Sequence, residues 1–215
     1  MDFAVARKRM VKEQRKGRGI NDPRVLEAMS RIPRHEFVDE GMASQAYEDR
    51  PLSIGLKQTI SQSYMVALMT ESLGLQGHER VLEIGTGCGY QTAVLAEPCR
   101  HVYSVERLSS LSNKARRTLY RLGYINFTLR IGDGTLGWPE ESPFDAILVT
   151  AASPQVPPTY LKQLSPNNGH LVLPKGSELE QELIHVGLKQ GQVVEKSLSA
   201  CRFVKLYGQH GWANE

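Results

Sequence analysis

Apolar and polar positions follow two different periods along this chain, and the change occurs near residue 80. From there onward, short runs rich in apolar and β-branched residues alternate with helical apolar stripes such as Leu111, Ala115 and Leu119. The runs predict buried strands at Val81–Ile84, His101–Val105, Phe127–Ile131, Phe144–Val149 and Gly169–Leu173. Strands that alternate with helices predict an α/β fold whose doubly wound sheet is mostly parallel.

The N-terminal part of the chain, residues 1–60, shows helical periodicity and predicts a helical extension ahead of the sheet. Within it, Asp22-Pro23 marks a helix start, because an N-cap acid precedes proline at the first helical position. Ile32-Pro33 ends that helix, since the residue before a proline disfavours the α-helical backbone.

A further helix is expected just before the sheet. Residues 52–63 are polar and punctuated by glycine, and Tyr64–Met69 is then an apolar run. Ser61 or Ser63 is expected to cap this helix, because a serine oxygen accepts a hydrogen bond from a free N–H of the first turn.

The tail, residues 176–215, differs from the alternating part. Leu183–Leu188, a turn at 189–192, Val193-Val194 and Phe203–Leu206 predict antiparallel strands that close the sheet. A chain of 215 residues is enough for one substantial core, so the expectation is a single domain, 1–215, with a cofactor-binding core at 78–175.

Charge and cysteine content narrow the class of protein. The formal charge is +3, and much of the basic excess lies between Arg7 and Arg18. Such a run is either a nucleic-acid contact or the solvated face of an N-terminal helix, and the helical spacing of Phe3, Ala6 and Met10 favours the solvated face. The three cysteines lack a CxxC pair, the histidines lack metal-ligand spacing, and no apolar stretch approaches the ~20 residues of a membrane span. A soluble, cytoplasmic protein without a metal is expected.

The first predicted strand leads into a glycine loop, Gly85-x-Gly87-x-Gly89, and then into a helix. A strand, a glycine turn and a helix together form a nucleotide-binding turn, because glycine lets the backbone approach a ligand closely. The dinucleotide fingerprint GxGxxG requires glycine at position 90, where this chain has Tyr90. With Glu83 before it, the loop instead resembles motif I of the class I S-adenosylmethionine methyltransferases.

Two further strand ends support the same cofactor. Glu106 ends the second strand, about 20 residues beyond the loop, where an acid accepts hydrogen bonds from ribose hydroxyls. Asp133-Gly134 follows the third strand, at the position where an acid and an amide usually face adenine, although Asp133 also fits a plain turn.

The loop does not identify the methyl acceptor. The segment after the fourth strand, Val149–Pro154, lacks the D/N-P-P-Y clamp of enzymes that methylate exocyclic nitrogens, and no acid cluster follows it to bind a catecholate metal. Over nearly its whole length, however, the chain resembles the protein-L-isoaspartate (D-aspartate) O-methyltransferases. The most specific matches are IPRHEFV at Ile32–Val38 and QTISQ at Gln58–Gln62.

The resemblance implies a carboxyl methyltransferase of one Rossmann-like domain that repairs damaged proteins. Its substrate would be the free carboxylate of an L-isoaspartyl or D-aspartyl residue, its donor S-adenosylmethionine, and its product S-adenosylhomocysteine. It needs no metal, nucleic acid or membrane, and a monomer is expected. The methyl ester would then collapse to a succinimide.

The resemblance also implies roles for individual residues. Ser61 would be catalytic and would orient the acceptor carboxylate, and the acceptor would also contact Ile60, Arg202 and Val204. The expected cofactor contacts are Thr59, Tyr64, Glu83, Gly85, Thr86, Gly87, Cys88, Gly89, Glu106, Arg107, Asp133 and Gly134.

Two residues depart from the family pattern, which usually has glycine at position 57 and proline at position 63. Lys57 places a long cation at the rim of the expected site, and Ser63 changes the start of the following helix. Three alternatives stay open: a class I methyltransferase acting on RNA through the basic N-terminal helix, one acting on a small-molecule oxygen, and a cofactor-binding module without catalysis.

Overall fold

A seven-stranded sheet forms the centre of the computed structural model, which describes residues 2–189 and 192–213. The helices are α1 Phe3–Arg18, α2 Pro23–Arg31, α3 Ser63–Ser72, α4 Tyr90–Ala96, α5 Ser109–Arg121 and α6 Pro158–Gln163. The strands are β1 Leu52–Gly55, β2 Gln58–Ile60, β3 Arg80–Ile84, β4 His101–Glu106, β5 Phe127–Ile131, β6 Ala146–Val149, β7 His170–Gly176, β8 Gln181–Lys189 and β9 Gln192–Cys201. Short 3₁₀ helices are found at Arg34–Phe37, Glu40–Gln45, Gly134–Leu136 and Pro139–Glu141.

The sheet has the strand order β5-β4-β3-β6-β7-β8-β9. The five strands from β3 to β7 are parallel to one another, whereas β8 pairs antiparallel with β7 and β9 pairs antiparallel with β8 at one edge. This arrangement confirms the predicted α/β class with a mostly parallel sheet and antiparallel C-terminal strands. After β3 the chain first builds one side of the sheet and then returns to build the other, so the order reverses beside β3. Ligands of such sheets bind in the crevice at the carboxyl ends of the strands at this reversal.

Hydrophobic side chains cover both faces of the sheet, which explains why its strands read as continuous apolar runs. In β3, Val81 packs into one core layer, whereas Leu82 and Ile84 pack into the other. The neighbouring strand repeats the pattern, with Val102 beside Val81 and Val105 beside Ile84. Because both layers are buried, a one-residue shift of β3 would move every one of its side chains into the wrong core layer, so the register of β3 is strongly determined.

The extension before the sheet is helical only in part. Helix α2 begins and ends as predicted, with the Asp22 carboxylate accepting a 2.8 Å hydrogen bond from Arg24 N and Ile32 closing the helix. Residues 52–60, however, form an antiparallel hairpin of β1 and β2, so the expectation of a helical extension up to residue 60 was wrong there. The turn at Leu56 and Lys57 lacks the usual Asn-Gly signal, which hid the hairpin in the sequence.

Helix α3 is capped by a residue distant in sequence and not by the expected serines. Its N-cap position is Gln62, whose side chain makes no capping bond. Instead the Asp49 carboxylate accepts hydrogen bonds from Tyr64 N at 3.3 Å and from Ser63 Oγ at 3.0 Å. The prediction that Ser61 or Ser63 caps this helix was therefore wrong, because tertiary packing brings a stronger acceptor to the same N–H groups.

The tail forms a long hairpin of β8 and β9, although residues 190 and 191 of the expected turn lie outside the described residues. The expected last strand at 203–206 does not join the sheet edge. It runs beside Ala152 as a single parallel bridge, in which Ala152 N donates to Val204 O at 2.7 Å and Leu206 N donates to Ala152 O at 2.8 Å. The tail therefore crosses the carboxyl end of β6 and does not extend the sheet.

Part of the basic N-terminal run makes contacts within the molecule. Arg18 forms a 2.6 Å ion pair with Asp49, and its guanidinium lies 4.8 Å from the centre of the Tyr64 ring. Arg9 pairs with Glu13 along α1 at 3.0 Å. Across the described ranges, no helix combines the length and the apolar character that crossing a bilayer requires.

Candidate functional site

A deep cleft opens at the carboxyl ends of β3, β4 and β6, where the strand order reverses. Its empty space, including the solvent at its open mouth, is about 840 Å³. Segments far apart in sequence line it, among them the β2 end, the glycine loop, the ends of β4 and β6, and the C-terminal tail. The lining comprises Gln58–Ser61, Val66, Ile84–Cys88, Tyr90, Gln91, Val105–Leu108, Gly134, Thr150, Ala151 and Val204–Tyr207.

The glycine loop is shaped by the strand beside it. Gly85 has φ +96°, and a Cβ placed there would lie 2.3 Å from Thr150 Oγ1. The Thr150 hydroxyl occupies this space because it donates to Gly85 O at 2.7 Å and to Ile84 O at 3.0 Å. Thr150 therefore fixes the loop backbone at the cleft wall, and only glycine fits at position 85.

Glu106 closes the loop from the neighbouring strand. One carboxylate oxygen accepts a 2.9 Å bond from Gly87 N and the other a 2.9 Å bond from Leu108 N. Each carboxylate oxygen has two lone pairs, so both can still accept a hydroxyl from a ligand in the cleft. The residue is 7% exposed and lines the cleft.

Glu83 lies beneath the loop and outside the cleft lining. Its carboxyl group is fully buried, and Thr92 Oγ1 and Ser104 Oγ both donate to Oε2 at 2.6 Å. Burial raises the pKa of Glu83 to about 8, opposed by these two hydrogen bonds and supported by the charge of Glu106. The group is thus mainly neutral at pH 7 and supports the loop from below.

The β1–β2 hairpin brings a second set of polar groups to the cleft. Gln58, Thr59, Ile60 and Ser61 line it together with the glycine loop, and Ile54 of the same hairpin lies next to Gly87. Across the part of the chain that is described, the Ser61 hydroxyl makes no hydrogen bond within the protein. The hydroxyl is therefore available to a ligand. Ser61 follows β2, so it reaches the cleft from a part of the chain separate from the glycine loop.

Cys88 is a thiol in the cleft wall. Burial raises its pKa to about 11, so it stays protonated at neutral pH and is a poor nucleophile. Among residues 2–189 and 192–213, no group of three or more histidine, cysteine, aspartate or glutamate side chains has the arrangement of a metal site.

Most of the residues predicted for the site meet in this cleft. They are Thr59, Ile60, Ser61, Gly85, Thr86, Gly87, Cys88, Glu106, Arg107, Gly134 and Val204. Five others lie outside the lining, so direct contact does not follow for them from this geometry: Tyr64, Glu83, Gly89, Asp133 and Arg202.

Each of the residues outside the cleft has another structural place. Tyr64 packs under Arg18, and Gly89 is the N-cap of α4, where an added Cβ would lie 3.1 Å from Ala115 Cβ. Asp133 binds the tail by accepting from Gln209 N at 2.8 Å, besides closing its own turn. Arg202 follows β9 and is exposed.

Several lining residues were not predicted from the sequence. Thr150 and Ala151 follow the fourth strand, and a strand end at the reversal was the available signal for both. Residues 205–207 had no such signal, because their position depends on how the tail folds back over β6.

The fold and the cleft together define the class of protein: an α/β protein of the class I methyltransferase kind, with its glycine loop at the reversal of strand order. Within that class, the chain belongs to the protein-L-isoaspartate(D-aspartate) O-methyltransferase family, whose model matches residues 5–211.

Relatives over the full length agree with this assignment. The chain is 54% identical to the protein-L-isoaspartate O-methyltransferase of Geobacter metallireducens, covering 100% of both chains. It is 56% identical to that of Syntrophus aciditrophicus, covering 98% of each.

Solved structures show the same similarity. A protein-L-isoaspartate O-methyltransferase superimposes with a TM-score of 0.86 at 33% identity, over 95% of this chain and 67% of that one. A putative family member from Plasmodium falciparum, solved in complex with S-adenosyl-L-homocysteine, gives a TM-score of 0.79 at 27% identity, over 94% of this chain and 98% of that one.

Proposed function

We propose that this chain transfers a methyl group from S-adenosylmethionine to the free carboxylate of L-isoaspartyl and D-aspartyl residues in damaged proteins, and so begins their repair. The observation that carries the proposal is that two segments distant in sequence line the same cleft: the QTIS segment, which is specific to the family, and the glycine loop. Full-length relatives at 54% and 56% identity bear the name of this activity.

The residues present fit the cofactor. The Glu106 carboxylate lines the cleft and has lone pairs left for two ribose hydroxyls. Gly85, Thr86, Gly87 and Gly134 line the same cleft. When bound, the cofactor supplies a methyl group activated by a sulfonium sulfur.

The chain needs no general base for this reaction. A carboxylate has an ordinary pKa of about 4, so the acceptor is already ionised at neutral pH. The protein must instead hold the acceptor oxygen in line with the methyl group and exclude water. Ser61 is placed for the first task, because its hydroxyl can donate to one acceptor oxygen. The tail at Val204–Tyr207 lines the cleft and serves the second task by taking space that water would otherwise fill.

Paired peptides that differ only in aspartate versus isoaspartate test this function. With radiolabelled S-adenosylmethionine, we expect transfer to the isoaspartyl peptide alone and release of the label by mild base, as a methyl ester requires. Equal labelling of both peptides, or of neither, would contradict the proposal. Labelling of nuclease-sensitive material, with strong salt dependence, would support the RNA alternative instead.

The role of Ser61 has its own test. Ser61→Ala removes one hydrogen bond to the acceptor, worth about 1–3 kcal/mol, and should lower kcat roughly 5- to 150-fold. Cofactor affinity should change little, because the hydroxyl faces the acceptor. Ser72→Ala, at the C-terminal end of α3, is the matched control and should keep wild-type kcat. An equal loss of cofactor affinity would make Ser61 a cofactor residue.

We also propose that the enzyme acts as a cytoplasmic monomer without a nucleic-acid partner. The three cysteines are free thiols, as in a reducing compartment, and Arg18 is engaged inside the molecule by Asp49. Light scattering coupled to size exclusion should give a mass near the 24.0 kDa of one chain. A mass of two chains or more would contradict the monomer.

A further inference from the structure

Arg34 is a fully buried arginine close to the proposed catalytic serine. It begins the 3₁₀ helix after α2, and none of its surface is exposed. Across the described ranges, no carboxylate forms an ion pair with it. Burial lowers the pKa of the guanidinium, yet arginine remains charged in proteins. Burying a cation without a counterion costs folding free energy, whereas an apolar residue of the same size would fill the space without that cost. The arginine is therefore expected to have a role beyond packing.

The guanidinium joins two separate stretches of main chain. Nε donates to Ala46 O at 2.7 Å, and Nη2 donates to Ser61 O at 2.7 Å. Ala46 belongs to the segment before the β1–β2 hairpin, whereas Ser61 follows that hairpin. One planar group thus fixes both sides of the hairpin base, which a flexible ammonium could not do in the same fork geometry.

The same group also touches the cofactor side of the cleft. The Arg34 guanidinium carbon lies 4.7 Å from the centre of the Tyr90 ring, and Tyr90 is the first residue of α4, directly after the glycine loop. The rings of Phe37 and Tyr90 pack edge to face with their centres 5.5 Å apart, which helps to fix the Tyr90 ring. Arg34 therefore connects the main chain of Ser61 with the element that ends the cofactor loop.

We propose that Arg34 is a positioning residue that fixes the distance between Ser61 and the cofactor loop. This inference rests on the proposed function. In-line methyl transfer depends on the placement of the acceptor oxygen, and a misplacement of about 1 Å costs roughly a hundredfold in rate. Arg34 touches no substrate in this arrangement, and it acts through the Ser61 carbonyl and the Tyr90 ring.

Two substitutions separate positioning from packing. Arg34→Met keeps the length and apolar contacts without the donors, and Arg34→Lys keeps the charge without the fork. Each should lower kcat about 10- to 100-fold, with KM for S-adenosylmethionine within about threefold of wild type. Arg31→Met, an exposed arginine one turn earlier, is the matched control and should keep wild-type kinetics.

A double-mutant cycle tests the route through Ser61. If Arg34 acts by placing Ser61, then Arg34→Met should lower kcat by no more than about threefold once Ser61→Ala is present, because coupled residues are not additive. Full multiplication of the two single effects would overturn the proposal. So would wild-type kcat per folded molecule in Arg34→Met.

Hydrogen exchange gives a readout that does not depend on activity. In Arg34→Met, the amides of residues 61–64 should exchange faster, whereas those of β4 should be unchanged. Unaltered exchange at residues 61–64 would overturn the proposal. If wild-type protein transfers no methyl group to the isoaspartyl peptide, the proposed function fails, and the exchange result still decides whether Arg34 holds this segment.

Discussion

Glu83 shows how one buried residue can make the stability of the whole domain depend on pH. Its folded-state pKa is about 8, whereas an ordinary glutamate titrates near 4.5. Between these values the folded chain holds a proton that the unfolded chain has lost, so stability falls as pH rises through this window. The loss over the whole window is on the order of a few kcal/mol.

Glu83→Gln should flatten this dependence, because the amide does not titrate. Urea unfolding between pH 5 and pH 8.5 measures the effect: the wild-type free energy of unfolding should fall relative to the variant as pH rises. Glu40→Gln, at an exposed site, is the control and should run parallel to wild type. Parallel curves for Glu83→Gln would show that the carboxyl group titrates normally.

Lys57 carries backbone strain at the tip of the β1–β2 hairpin. Its φ is +57° and that of Leu56 is +52°, which is a left-handed turn of two non-glycine residues. A left-handed conformation costs roughly 1–2 kcal/mol at such a residue. Glycine avoids this cost, but about 0.5–1 kcal/mol of the gain is lost because glycine gives up more backbone entropy on folding. The structure thus gives a physical reason for the glycine that the family usually has at this position.

Lys57→Gly should therefore stabilise the protein by about 0.5–1 kcal/mol. Lys57→Ala removes the same charge and keeps the strain, so it should not stabilise. Chemical denaturation of the two variants side by side separates backbone from side chain. An equal gain in both would assign the effect to the lysine side chain.

At the scale of elements, α3 depends on an acid from outside itself. Asp49 receives bonds from Ser63, Tyr64 and Gln62, and Arg18 pairs with it. Burial acts to raise the pKa of Asp49, but these hydrogen bonds and the Arg18 charge outweigh it and lower the pKa. The stabilisation is therefore present above the ordinary value of 3.8 and is lost as pH falls through the lower folded value.

Asp49→Ala should cost about 1–2 kcal/mol of stability, as other N-cap removals do. It should also lower kcat, because the freed helix start adjoins Ser61. Asp22→Ala removes the cap of α2 and should cost a similar amount of stability with wild-type kcat. If the two variants lost activity equally, the Asp49 effect would be general destabilisation.

At the scale of the whole molecule, the tail supplies part of the lining of a cleft that begins at the sheet. Trp212 anchors it, since Nε1 donates to Ala152 O at 3.1 Å and the main-chain N donates to Leu206 O at 2.8 Å. Lys205 lies 5.2 Å above the same ring. Because Val204–Tyr207 line the cleft, losing this anchor should loosen the site without touching the glycine loop.

Trp212→Ala should weaken binding of S-adenosylhomocysteine about tenfold, which corresponds to roughly 1.4 kcal/mol. The other tryptophan of the chain supplies the control: Trp138 packs on Tyr103 and Arg130, outside the cleft lining. Trp138→Ala should lower the melting temperature and leave the Kd from calorimetric titration near wild type. Equal Kd values for both variants would show that Trp212 contributes only stability.

The sequence alone determined the features that local physics controls. Buried parallel strands need continuous apolar runs, a tight ligand turn needs glycine, and a helix start favours Asp22-Pro23, so β3 to β7, Gly85 and α2 were all predictable. The QTIS segment, by resemblance, indicated the acceptor.

Tertiary structure alone decided which distant groups meet. Glu83 follows the motif, yet burial takes it out of the cleft and beneath the loop. The cap of α3 comes from Asp49, and the tail leaves the sheet to cover β6. These outcomes depend on contacts between residues far apart in the chain. The free energies of such contacts compete with local preferences and cannot be inferred from a short segment of sequence. In the sequence, Arg34 is only one residue of the IPRHEFV segment. It links Ser61 and Tyr90 once the chain has folded.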